Sequence, residues 1–95
     1  MGEFGRTPKI NPNKRREHWP QCYSALLAGG GVKSGYIYGA SDATGAYPSR
    51  DPVRPDDLAA TIFQLMGIDP AAEVHDTQDR PLVIAEGEAI TELMA

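Results

Sequence analysis

At 95 residues, with 18 Leu, Ile, Val and Phe side chains, the chain holds one small domain's worth of sequence and is short of core. Gly and Pro number 10 and 8, as many turn-formers as large apolar side chains, while a net charge of −4 is too mild to enforce disorder. A single cysteine, Cys22, excludes internal disulfides and multi-cysteine zinc frameworks, no apolar run approaches the roughly 20 residues of a membrane-spanning helix, and overall acidity disfavours a nucleic-acid partner.

The opening decapeptide MGEFGRTPKI has no hydrophobic signal region, and residues 1–5 read as the end of a strand running into a glycine turn. Pro8, Pro12 and Pro20 with Asn11 and Asn13 make residues 6–20 a loop. Its basic stretch, Lys9 to Arg16, reads as a solvated loop. Residues 21–28 are apolar on both alternating sets, Tyr23, Ala25 and Leu27 against Cys22, Ser24 and Leu26. That pattern predicts a strand buried on both faces, as in a parallel sheet, with a short helix as the competing form.

Gly29-Gly30-Gly31 ends that element, and Tyr36-Ile37-Tyr38 is a brief β-prone segment before an irregular stretch from Ala40 to Pro55. The clearest element follows. Pro55 suits a first helical position, Asp56 and Asp57 lie near the positive end of the helix dipole, and Leu58, Ile62 and Leu65 fall at helical spacing. Gly67 supplies the stop. Residues 68–81 return to loop, Leu82-Val83-Ile84 predicts a small strand, and Glu88 to Met94 a final turn of helix. Strand, loop, strand and helix in that order fit the edge of a layered α/β sheet better than a self-contained fold.

The glycine cluster at 29–35 is not a phosphate loop: Val32 separates Gly31 from Lys33, and the dinucleotide pattern fails at Ser34. A turn is the reading left. His18, within Glu17-His18-Trp19-Pro20, carries an imidazole able to bind a metal or act as a base, against the plainer role of a structural or solvated loop histidine. His75 lies among Glu73, Asp76 and Asp79 at a spacing that matches no calcium loop, so a solvated acidic turn is the better account. Glu3 and Arg6 flank Phe4-Gly5 at a strand end, where α/β sheets place ligands; they suit substrate or metal contact, or an ion pair anchoring the loop. No Gly-x-Ser-x-Gly elbow occurs, and Cys22 has no neighbour in sequence to activate it.

Several motifs together carry a resemblance. Gly2-Glu3-Phe4-Gly5-Arg6-Thr7-Pro8, His18-Trp19-Pro20, Leu27-Ala28-Gly29-Gly30-Gly31-Val32-Lys33, Tyr38-Gly39-Ala40-Ser41-Asp42, Asp57-Leu58-Ala59-Ala60-Thr61-Ile62 and Gly67-Ile68-Asp69 closely resemble the bacterial domain-of-unknown-function family 1501. That family is similar to sulfatases and the alkaline-phosphatase-like hydrolases, whose fold is a sheet between helices. The resemblance implies that residues 1–95 form a single incomplete domain, the loop-rich α/β C-terminal portion of such a layered domain, whose partner is the remaining N-terminal part.

By the same resemblance, Glu3-Phe4-Gly5 takes the place of a metal-binding Asp-His-Gly, with Phe4 leaving Glu3 alone at that pair. His18 takes the place of a later metal ligand and Arg6 that of an anion contact, with zinc or calcium as the divalent cation. The implied function is a fragment of a metal-dependent phosphate or sulfate ester hydrolase, inactive alone because the nucleophile lies upstream in such domains. The alternative is a non-catalytic binding or structural module, associated with glycans or the cell surface. The resemblance further implies a small ester or a glycan as substrate and an exported or periplasmic location.

Overall fold

The computed structural model describes residues 5–95; the expected strand end at 1–5 and the predicted ligand Glu3 lie outside them, save Gly5. The chain is mixed α/β and loop-rich, with β1 (Ala40–Ser41), β2 (Pro48–Arg50), α1 (Pro55–Leu65), β3 (Glu73–His75), β4 (Pro81–Val83) and a 3₁₀ turn at Thr91–Leu93. It divides into two compact units, one of residues 5–27 with 37–52 and the other of 28–36 with 53–95. No helix among the described residues is long and apolar enough to cross a membrane.

The first unit contains a closed loop and a small hairpin. In the loop, backbone bonds Trp19 N–H to Gly5 C=O (2.8 Å) and Thr7 N–H to Glu17 C=O (2.9 Å) zip residues 5–7 antiparallel to 17–19. Gly5 is buried there, and a Cβ on it would run into the carbonyl oxygens of Trp19 and Cys22, so only glycine lets the two strands close. The hairpin pairs β1 with β2 through a bulge, Ala40 facing Arg50 and Ser41 facing Pro48. Its turn is built on Asp42, whose Oδ1 accepts from the Thr44 amide and hydroxyl (3.2 Å each) and the Ala46 amide (2.9 Å). The Ala46 and Thr44 bonds hold the Asp42 carboxyl below its ordinary value of 3.8.

In the second unit, α1 starts at Pro55 after Arg54, and Asp57 reaches back to the Arg54 amide (3.2 Å) and guanidinium (3.3 Å). The first-turn carboxylates oppose the helix dipole as expected. The chain leaves the helix at Gly67 with φ 83°. The face withdrawn from water is centred on Ala60 and Thr61, not on the Leu58–Ile62–Leu65 stripe, in which Ile62 remains 41% exposed. The reason is a C-terminal strap, residues 87–90, lying along the Asp57–Thr61 side of the helix. The Glu88 amide donates to Asp57 Oδ1 (3.1 Å), and the buried Ile90 amide donates to Thr61 Oγ1 (2.9 Å). Thr61 Oγ1 in turn donates to the Asp57 carbonyl (2.7 Å), so this buried hydroxyl is fully used. Gly87 rests directly on the Asp56–Asp57 backbone, where no side chain fits.

Beyond the strap, the Gly29–Gly31 turn is tied to the chain's last residues by a Val32–Met94 bridge, Lys33 N–H to Leu93 C=O (2.7 Å) and Ala95 N–H to Gly31 C=O (2.8 Å). β3 and β4 form an antiparallel pair in register, Val74 facing Leu82. Their turn is held by Asp76, which accepts from the Gln78 and Arg80 amides (2.9 Å each) and pairs with Arg80 Nε at 2.7 Å.

Three expectations are corrected. Residues 21–28 are not a buried strand: they pair with nothing among the described residues, and Leu26 is 91% exposed. A strand's N–H and C=O groups need a neighbouring strand, and within the described chain residues 21–28 have none. Tyr36–Tyr38 forms no strand either, and Ile37 is 85% exposed. Finally, both described sheets are antiparallel hairpins rather than parallel, and three of their four strands lie in stretches expected to be loop, 40–55 and 68–81, while β4 falls one residue ahead of the strand expected at 82–84. The final helical turn is shorter than expected and 3₁₀ in form.

Candidate functional site

The foot of the 5–19 loop brings together two of the residues marked out by sequence. Arg6 and His18 are directly opposite each other in an isolated antiparallel bridge. The flanking bonds run from Trp19 N–H to Gly5 C=O and from Thr7 N–H to Glu17 C=O, so Arg6 and His18 are the non-hydrogen-bonded pair between them. In such a pair the Cα atoms approach to about 4.5 Å and both side chains stand on one face of the ribbon. A guanidinium and an imidazole 12 residues apart in sequence thus share one face, both exposed to solvent.

The surrounding loop fixes this foot. Arg6 Nη1 donates to the Arg16 carbonyl (3.4 Å) and Arg16 Nη1 to the carbonyls of Thr7 (3.1 Å) and Pro8 (3.3 Å). Thr7 Oγ1 accepts from the Glu17 amide (3.1 Å). At the tip, Asn11 Oδ1 accepts from the Asn13 amide (3.1 Å) and the Arg15 amide (2.9 Å), and Lys14 turns through φ 57°. Next to His18, Trp19 Nε1 donates to the Ala46 carbonyl (2.7 Å) and its ring meets Tyr47 edge-on, centroids 5.8 Å apart and planes at 70°.

As a metal centre, the described part of this foot offers one imidazole. Among the described residues no three His, Cys, Asp or Glu side chains gather to hold a cation. A zinc site takes three or four protein donors, so the residues present fit one corner of such a site, and the remaining donors would have to come from Glu3, which lies outside the described residues, and from further chain. What the foot itself supplies is a fixed pair of complementary groups: a nitrogen donor, and beside it a permanent cation with a planar fork of N–H groups suited to a carboxylate, sulfate or phosphate.

The remaining sequence-marked residues are elsewhere. His75 sits exposed on β3, and Asp76 of its acidic turn is committed to Arg80 and the turn amides, which hold its carboxyl below 3.8. Lys33 of the glycine cluster lies 4.6 Å over the Tyr36 ring in a cation–π contact. A surface depression of about 420 Å³ past the helix end is lined by Gln64, the motif residues Gly67, Ile68 and Asp69, and Pro70, and includes neither Arg6 nor His18. Sequence reasoning missed three features: the Trp19–Tyr47 pair, the Asp42 turn, and the grip of Asp57 and Thr61 on the strap. The last two had signals, an Asp two residues before a Thr-Gly, and an Asp and a Thr at i, i+4 on one helix face.

No curated protein and no solved structure matches the chain. The family model described as "Protein of unknown function (DUF1501)" matches residues 1–94, and the chain belongs to that family.

Proposed function

We propose that this chain is the C-terminal part of an alkaline-phosphatase-like domain, and that the Arg6–His18 foot is one side of a metal-assisted phosphate or sulfate ester site. The observation that carries the reading is the cross-strand pairing itself, which sets the predicted metal ligand and the predicted anion contact on one face. His18 would hold the cation together with Glu3, and Arg6 would meet the negative charge that grows on the ester oxygens as the bond to the leaving group breaks. Zinc or calcium, when bound, would supply the Lewis acid that activates the nucleophile carried by the rest of the domain. The sparse core supports the fragment reading: Ala60 and Ile90 are the buried hydrophobic residues among those described, while Leu26 and Ile37 stand in water. These side chains suit burial against sheet and helix supplied by further sequence of the same exported or periplasmic protein.

Calorimetric titration with Zn²⁺ and Ca²⁺ tests the metal role. Binding that is lost in His18→Ala and weakened in Glu3→Gln is expected; identical titrations of parent and variants would overturn it. The 95 residues alone are expected to turn over neither aryl phosphates nor aryl sulfates. Metal-dependent turnover abolished by His18→Ala would retain the site and remove the fragment reading.

A second reading is a non-catalytic binding module on the same fold. The loss of a histidine at Phe4 and the row of cations along the 9–16 loop favour it. Metal-independent retention of a glycan, with no effect of chelator on thermal stability, is its expected signature.

A further inference from the structure

The 5–19 loop is a positive island in a negative chain. It holds Arg6, Lys9, Lys14, Arg15 and Arg16 against Glu17 alone, whereas the other 80 residues hold four cations against twelve carboxylates. Ion pairs among the described residues join Arg54 to Asp57 and Arg80 to Asp76, and none reaches this loop. All five cations are exposed. Like charges crowded on a short loop repel each other, and the chain spends backbone and Asn11 hydrogen bonds to hold them there.

We infer that this loop is a docking surface for an acidic glycan chain carrying sulfate or carboxylate groups. Arg6 and Arg16 are tethered through Nη1 to loop carbonyls, which makes them fixed forks for discrete anionic groups rather than loose point charges. Lys9, Lys14 and Arg15 extend the positive rail along the loop. At its foot Tyr47 is half exposed and braced against Trp19, offering a ring to the apolar face of a pyranose.

Other polyanions fit less well. A duplex is held by neutralising phosphates along an extended rod, and the sequence offers no second basic stretch beyond this loop. Single strands favour aromatic residues interleaved with the cations, and this loop's one such ring, Trp19, comes after the last cation and is packed edge-on against Tyr47. A lipid surface asks for several apolar side chains to insert, and the loop tip offers Ile10.

The inference deepens the binding-module reading by naming its ligand class, and it stands independently of a metal at His18. The test measures binding of the full chain to a fluorescent heparin-derived octasaccharide, with EDTA present. Saturable binding is expected at 50 mM NaCl, weakening at least tenfold by 200 mM as counterions compete. Lys9→Gln/Lys14→Gln/Arg15→Gln should lose at least tenfold in affinity, while Lys9→Arg/Lys14→Arg/Arg15→Lys should bind like the parent. Tyr47→Ala should weaken binding several-fold, and His75→Ala, on β3, should leave it unchanged. Equal binding of neutral dextran, tighter binding of duplex DNA or phosphatidylserine vesicles, parent-like affinity of the glutamine variant, or equal loss in the charge-retaining variant would each overturn the proposal. Loss on His75→Ala would show that the ligand is held away from this loop and overturn it too, whereas the metal titration above could fail without touching this result.

Discussion

The helix at Pro55–Leu65 and the segment at 21–28 draw on similar stocks of Ala, Leu and aromatic residues, yet one is an ordered element and the other is irregular and leaves Leu26 in water. The difference is where each finds partners for its backbone. A helix closes its own N–H and C=O groups within the segment, needing help only at its ends, which Asp57, Pro55 and the strap provide. A strand has no such recourse, and apolar alternation without a neighbour leaves Leu26 in water. Stability in the described chain therefore rests on short polar clamps, Asp57–Thr61 above all, rather than on a broad apolar interior. Substitutions at the clamp should hurt far more than substitutions of larger apolar side chains at 21–28.

The largest effect is expected at Gly87. In Gly87→Val the new side chain meets the Asp56–Asp57 backbone and must lift the strap, which removes two hydrogen bonds and exposes Ile90. At about 1 kcal/mol per bond and 1.5–3 kcal/mol for a buried Ile, the loss is about 3–5 kcal/mol. Urea unfolding followed by far-ultraviolet dichroism measures it; an unchanged midpoint would show that the strap does not hold the helix.

Thr61→Val comes next. It keeps the shape but leaves the buried Ile90 amide without an acceptor, for a loss of about 2 kcal/mol. Thr61→Ser keeps the oxygen and should recover most of it. Fast hydrogen exchange at the Ile90 amide in the valine variant alone is the direct readout, and equal protection in both would assign the bond no role.

Asp57 makes the same clamp sensitive to acid. The Arg54 guanidinium, followed by the Glu88 amide, holds its carboxyl below 3.8 in the folded chain. A depressed folded-state value means that ionised Asp57 stabilises the fold above pH 3.8, and that this contribution fades as pH falls through the folded-state value. Asp57→Asn should lower stability at pH 7 and flatten the acid limb of the stability curve. Parallel acid limbs in parent and variant would place the titration elsewhere.

How much of this was legible follows the same division. Helix α1 was readable because Pro55, the two aspartates and Gly67 act locally. Of the hairpins only β4 was, through Leu82 and Val83; the strands are two or three residues long, two of them begin at Pro48 and Pro81, and the turns depend on the Asp42 and Asp76 side chains. Arg6 and His18 were marked singly by residue type and motif. Their pairing is a matter of register, fixed by how Gly5 admits Trp19 and by the Thr7–Glu17 bond, neither of which a proline-rich loop betrays in its composition.

The smallest effect sharpens the comparison most. Leu26→Ser removes a large aliphatic side chain, a change that costs several kcal/mol in a packed core. At 91% exposure Leu26 has almost nothing to lose, so the isolated chain should change by about 0.5 kcal/mol or less. The same substitution made within a longer chain that supplies a neighbouring strand should cost several times more, because there the side chain would be buried and the backbone paired. Parent-like stability in both settings would mean that 21–28 is an exposed linker wherever it occurs. A loss of 2 kcal/mol or more in the 95 residues alone would mean that the segment is already packed, and the contrast with α1 would disappear.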